Sequence, residues 1–414
     1  MKVLVVAHES EFIGGASRAL FAILKYWKNS ENIQFDVLVP DNQGDFVEAL
    51  EKMNVDHYAI KYFKVFSELK GDYKDAFRKI NVYRKDLYNY FAARKIGNKL
   101  VCNRYDAVYT NTRMSSMGSW IAQRLQIPHI IHIREFGNEN TYWGPSNLKR
   151  INKTSNRVIV ISKALAKEIE KAVEKSKMIV SYDGVIYQGK EKQKSDEYVD
   201  ILLTGRITEA KSQEEAVMAI AELKKRGLSE LVRLHFAGSV PANSKFAKQY
   251  YNRILDLIKK YNIEKQIIFH GEVSSMDLLR QNMDIELMCA ERETFGWVTV
   301  EGMRSGLLVI GANTGATPEI ITNMKTGLLY THGDARDLAD KIEWVLKNPS
   351  IADEIRKNGK KFSDESFTIE KNGTDVYRAI MACKLMRCRL YWNKMENAVK
   401  LFSGIKGILE YLIE

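Results

Sequence analysis

Glu293-Thr-Phe-Gly-Trp-Val-Thr-Val-Glu301 sets two carboxylates around a Phe-Gly turn, with seven residues between them. The apolar run from Ile285 to Ala290 predicts a buried strand, and the stretch from Val298 to Ser305 predicts the helix after it. Glu293 then falls in the strand-to-helix loop and Glu301 on the first turns of the helix. Loops at the carboxyl ends of strands in an open α/β sheet are where ligands bind. Amide N–H groups at a helix start favour an anionic phosphate, and a nearby Glu accepts hydrogen bonds from sugar hydroxyls. Together these capacities suit a nucleotide-sugar site. Either Glu taken singly would also suit a solvated helix-end carboxylate.

The elements that must position these residues follow one rhythm. Val3–Ala7 predicts a strand, and Gly14-Gly15 leads into a helix from about Ala16 to Trp27. Strands are then expected at Phe35–Val39, Ala107–Thr110, His129–Ile133 and Arg157–Ile161, with helices at Phe46–Met53 and Met117–Leu125. Ser162 reads as an N-cap. The polar stretch from Gln188 to Glu197 reads as a joint, after which strand and helix alternate again from Val199 to Tyr330. Such alternation predicts parallel, helix-covered sheets. At 414 residues the chain exceeds the size at which one core keeps growing, so two domains facing across a cleft are expected.

Composition narrows the class. Hydrophobic residues make up 45% and charged residues 28%, as in water-soluble globular proteins. Four scattered cysteines without metal-ligand spacing suit a reducing compartment. The first strand gives way to His8 and Glu9 too soon for a signal-peptide core, and no run reaches the roughly 18 apolar residues of a membrane span. A cytoplasmic location is expected. The net charge of +11 is uneven: Lys61 to Lys99 holds eleven Lys or Arg against four Asp or Glu, interleaved with nine aromatic residues. That mixture suits peripheral contact with an anionic membrane at its inner face, or two amphipathic helices with aromatics in the core and lysines in water. No helix-turn-helix, zinc-finger or RNA-binding signature accompanies the charge, so nucleic acid is not expected as a partner.

Further motifs join the two glutamates: Gly14-Gly15 in the first loop, Gly205-Arg206 with Lys211 five residues after the Arg, and Gly315-Ala-Thr-Pro-Glu319. In order and approximate spacing these resemble family 4 of the retaining glycosyltransferases. The resemblance implies the GT-B fold, with two Rossmann-like domains at 1–188 (acceptor) and 198–367 (nucleotide-sugar donor). Helices in 368–414 are expected to cross back onto the first domain.

The resemblance also implies roles. Arg206 and Lys211 neutralise the donor diphosphate, Glu301 holds the ribose hydroxyls, and Glu293 faces the donor sugar near its anomeric carbon. Phe295 and Gly296 offer backbone amides. His132, closing a first-domain strand, approaches the sugar hydroxyls, whereas His129 reads as a packed or surface residue. His270 and Gly271 border the nucleotide base, although His270 would also serve as a strand cap. Gly14 and Gly15 approach the donor phosphate or the acceptor, and as a pair they also fit an ordinary turn. Arg134 and Glu135 are candidates for touching the acceptor. Ser212 and Thr294 stand where the family often has Gly, and Leu308 where Pro is usual.

The expected activity is transfer of a hexose-type sugar from a UDP-sugar, with retention, to a surface glycan or lipid-linked acceptor. No cofactor or metal is expected, because Arg206 and Lys211 do the work a divalent cation does elsewhere. A GT-B nucleotide-sugar epimerase or phosphorylase, or a non-catalytic partner subunit, is the competing reading. The intact Glu293 and Arg206 argue against the last.

Overall fold

The structure, a computed structural model, describes residues 1–30, 33–137, 140–187 and 198–383. The expected joint at 188–197 and the tail from 384, including Leu390 to Asn393, lie outside the described residues.

Two parallel sheets carry the chain. The first has seven strands in the order His57–Ala59, Gln34–Val39, Lys2–Val6, Ala107–Asn111, His129–Ile133, Arg157–Val160 and Met178–Val180. The second has six, in the order Ile267–Gly271, Val232–Ala237, Val199–Thr204, Ile285–Met288, Leu308–Ala312 and Leu328–Tyr330. Their central strands are buried on both faces, which explains runs such as Val3-Leu-Val-Val6 with no polar alternation. The chain order reverses between Lys2–Val6 and Ala107–Asn111 in one sheet and between Val199–Thr204 and Ile285–Met288 in the other. These reversals leave a crevice at the carboxyl ends of the strands. Gly205–Lys211 follows its strand directly, and Gly14-Gly15 and Glu293 stand in the loops that follow theirs.

The halves are joined by a continuous apolar cluster. Ile131, Val158 and Leu165 from the first half meet Phe295, Val300 and Ile320 from the second. Helix Ile369–Met381 packs on helix Gly15–Lys28, where the Trp27 indole donates to the Gly373 carbonyl at 2.9 Å and Tyr26 meets Thr374 at 2.9 Å. Leu20, Ile23, Leu24 and Trp27 form the i, i+3, i+4, i+7 stripe that buries the second of these helices.

Strong local signals in the sequence hold in the structure. Ser162 caps helix Lys163–Ile169, accepting from Leu165 N at 3.1 Å. The segment from Lys61 to Lys99 differs from the two-helix expectation. Extended chain runs to Ser67–Glu68, which pairs with Thr141–Tyr142, and a single 26-residue helix then spans Asp75–Leu100. Asp75 starts that helix by accepting from Lys70 N and Gly71 N at 3.0 and 2.8 Å, so the basic run before it stays in a turn. Its aromatics divide by position. Tyr62 is buried in the core, whereas Tyr73, Phe77 and Tyr83 are exposed.

Candidate active site

The second half supplies a loop that presents cations. Strand Val199–Thr204 ends at Gly205, whose φ of +145° lies outside the reach of most side chains. A Cβ at Gly238 would collide with the Gly205 carbonyl, so two strand ends are held in close approach there. Arg206 emerges exposed, with no side-chain partner among the described residues. Lys211 stands one short turn later and places Nζ 2.8 Å from Oε2 of Glu293. Ser212 carries a left-handed φ of +53°, a conformation that Gly adopts more readily than Ser.

Glu293 is held by the Gly315 motif rather than by its own neighbours. Ala316 N donates to the Glu293 carbonyl at 2.9 Å, and a Cβ on Gly315 would come within 2.7 Å of the same oxygen. Phe295 turns its ring inward, against Tyr182 and Phe367, leaving its backbone to the crevice. Gly296, at φ +107°, begins helix Trp297–Arg304.

Glu301 belongs to a buried ionic network that sequence reasoning missed. Arg280 is 1% exposed and bonds Glu286 through Nε at 2.8 Å, while its Nη2 reaches Glu301 Oε2 at 2.9 Å. Thr204 adds a hydrogen bond to Glu286 Oε1 at 2.7 Å. Gly302 makes the packing possible, since a Cβ there would lie 2.6 Å from Glu286 Oε2. Burial raises the Glu301 pKa against the pull of Arg280; Arg18, from the first half, also acts on it across the crevice. The one available signal was Glu286 itself, a charge inside an apolar strand.

The first half brings a polar cluster to the same crevice. Gly15 lies beside Trp297, whose ring carbon would be 3.9 Å from a Cβ on the glycine. Trp297 donates to Asp183 Oδ2 at 3.0 Å, and Asp183 Oδ1 pairs with Arg134. Arg134 also bonds Asn111 Oδ1 at 2.8 Å through Nε and lies 3.3 Å from His132 Nδ1 through Nη2. Its guanidinium is therefore committed to the protein, unlike that of Arg206. Because Arg134 can only donate, His132 Nδ1 accepts and the ring proton sits on Nε2. His132 is fully buried; burial, aided by Arg134, holds its pKa well below the ordinary value, so the ring is neutral. Its Nε2 has no hydrogen-bond partner among the described residues.

Glu135 presents a second orphan. Its Oε2 accepts from Arg134 N and Arg113 N, whereas Oε1 is buried without a partner among the described residues. Burial pushes its pKa up. Arg113 stacks 3.7 Å over the Trp143 ring, and burial brings its pKa down to about 10. Nearby, burial opposes ionisation of Glu9, yet bonds from His8 and Lys64 bring its pKa down to about 2. Gly14 precedes the first helix and is open on its Cβ side.

His129, in keeping with its reading as a packed residue, and likewise His270 and Glu319 are held by contacts of their own. His129 is packed between Thr110 and Ser155, at 2.8 and 3.0 Å. His270 stacks on His235 and shares a 2.9 Å bond with it, which turns its side chain onto the sheet face; only the Gly271 backbone continues the loop. Glu319 spans the two halves. It accepts from Lys163 N at 2.8 Å, Ala164 N at 2.6 Å and the Tyr182 hydroxyl at 2.8 Å.

Comparison with known proteins identifies the family and the fold. The family described as Glycosyltransferase Family 4 matches residues 13–187, and Glycosyl transferases group 1 matches residues 188–362. The chain is a family 4 glycosyltransferase. An uncharacterised glycosyltransferase of Methanocaldococcus jannaschii is 23% identical over 381 residues, covering 90% of this transferase and 95% of that one. The N-acetyl-alpha-D-glucosaminyl L-malate synthase of Bacillus anthracis is 32% identical over 118 residues, 28% of this chain and 31% of that enzyme. HepE of Anabaena, solved in complex with UDP, superposes with a TM-score of 0.74 at 18% identity, covering 92% of the transferase and 100% of that chain. These matches establish the GT-B fold.

Proposed function

We propose that the transferase moves a hexose-type sugar from a UDP-sugar to a hydroxyl of a surface-glycan or lipid-linked acceptor, with retention and without a metal ion. The observation that carries this reading is Lys211 Nζ held 2.8 Å from Glu293, beside an exposed Arg206. Fixed cations at that place suit a leaving diphosphate, whose negative charge grows as the glycosidic bond breaks. Arg206 supplies a planar fork and Lys211 a point charge.

Glu301, anchored on one oxygen by Arg280, offers the other to ribose hydroxyls. Glu293 lies where positive charge develops at the anomeric carbon. The His132 Nε2–H is a ready donor to a sugar hydroxyl, and the amides after Phe295 and Gly296 face the phosphates. In the proposed step the anomeric carbon separates from the diphosphate oxygen and bonds the acceptor oxygen on the same face. The acceptor proton passes to the departing phosphate. Arg134 supports His132 as a positioning residue, leaving Glu135 and Arg113 to meet the acceptor. HepE was solved with UDP, which favours a uridine donor here.

A thermal-shift panel of nucleotide sugars tests the donor half. A stabilising donor is expected, its shift reaching roughly 3 kcal/mol at a hundredfold excess over Kd, and Glu301→Ala should abolish it. No shift with any nucleoside diphosphate would sink the assignment. Isomerised donor in the absence of acceptor would move the reading to an epimerase. Chelation with EDTA is expected to leave the transfer rate unchanged; loss of activity restored by Mg²⁺ or Mn²⁺ would overturn the metal-free step.

A further inference from the structure

The Asp75–Leu100 helix leads two lives along its length. Its second half is core, with Ala93, Ile96 and Leu100 buried. Its first turns and the turn before them expose Tyr73, Phe77, Ile80 and Tyr83 at 81, 70, 57 and 54%. At 100° per residue these four and Arg84 share one side of the helix. A contiguous apolar face of this kind on a protein surface marks an interaction site.

Its charge says what it meets. Lys70 to Lys85 holds six basic and two acidic residues, and both acidic ones, Asp72 and Asp75, are taken by Arg78. Lys70, Lys74, Lys79, Arg84 and Lys85 have no acidic partner among the described residues. We propose that this face docks on an anionic lipid bilayer. Phe77 and Ile80 enter the acyl boundary, the tyrosine hydroxyls stay at headgroup depth, and the lysines reach outward to phosphates. Each basic group near such a surface adds attraction that salt screens.

The docking face is continuous with the crevice. The Tyr83 hydroxyl meets that of Tyr142 at 3.1 Å, Trp143 follows in sequence, and Arg113 stacks on Trp143 beside Glu135. An acceptor held at the bilayer surface therefore arrives at Arg113 and Glu135, a step that rests on the transferase reading above.

The test is flotation of the full chain with vesicles of phosphatidylcholine alone or mixed equally with phosphatidylglycerol. Binding to the mixed vesicles alone is expected. Lys74→Glu with Lys79→Glu should weaken it at least roughly tenfold, and Phe77→Ser with Ile80→Ser comparably. An unchanged thermal shift by donor in each variant shows that the fold and the donor site persist. Equal flotation of variants and wild type, or none with either vesicle, overturns the proposal. So does a wild-type dimer in solution that the Phe77 and Ile80 variants convert to monomer. Loss of vesicle binding with donor shift intact supports it. Vesicle binding without any donor shift leaves the docking face standing and removes the transferase reading.

Discussion

Lys211→Ala is expected to lower kcat/KM by about 10²- to 10³-fold, the loss typical of removing one preorganised donor from a developing anion. Two effects act in the same direction. The variant lacks the charge that meets the leaving diphosphate, and it leaves Glu293 uncompensated where Nζ stood at 2.8 Å. A bare carboxylate there repels the phosphates as they gain charge. Because that charge grows only as the bond breaks, kcat should fall more than KM rises. Steady-state release of the nucleoside diphosphate measures the split. A purely raised KM would reduce Lys211 to a binding residue, and rates within about twofold of wild type would remove it from the site.

Arg280→Leu is expected to destabilise the protein by about 3–5 kcal/mol, because it strands Glu286 as a buried carboxylate without its partner. For a domain of this size that amounts to a fall in Tm of roughly 10 °C. The choice of partner matters here. Glu286 accepts from Arg280 and Thr204 and is completely buried, so it has no route to water. Glu301, at the rim, retains one. Replacing both Arg280 and Glu286 by Leu should recover much of the stability, since the uncompensated charge is gone. Donor affinity should not recover, because Glu301 has lost the group that orients it. Thermal melts with and without donor separate the two. If the double variant bound donor like wild type, the network would be structural only.

Much of this site was legible in the sequence because its residues lie in the loops that follow buried strands. Glycines force the turns, and the charged residues stand at fixed distances after them. Glu293 stood out that way, Arg206 and Lys211 through the family resemblance, and the structure draws Lys211 onto Glu293. The Arg280 network was hidden because its members lie on separate elements and meet only through the packing of helix Trp297–Arg304 on strand Ile285–Met288. Arg113 and Trp143 were missed for the same reason. Strands His57–Ala59 and Met178–Val180 are three residues each, too short for a period to show. The single helix from Asp75 was obscured because its exposed first turns and its buried second half carry different apolar faces.

Glu319 bears on how the two halves hold together. Its carboxylate satisfies two amides at the start of helix Lys163–Ile169 and a tyrosine hydroxyl, all from the opposite half of the protein. Separating the halves there would expose three donors and one anion at once, together with the apolar cluster beneath them. One carboxylate thus fastens the two halves together through three hydrogen bonds.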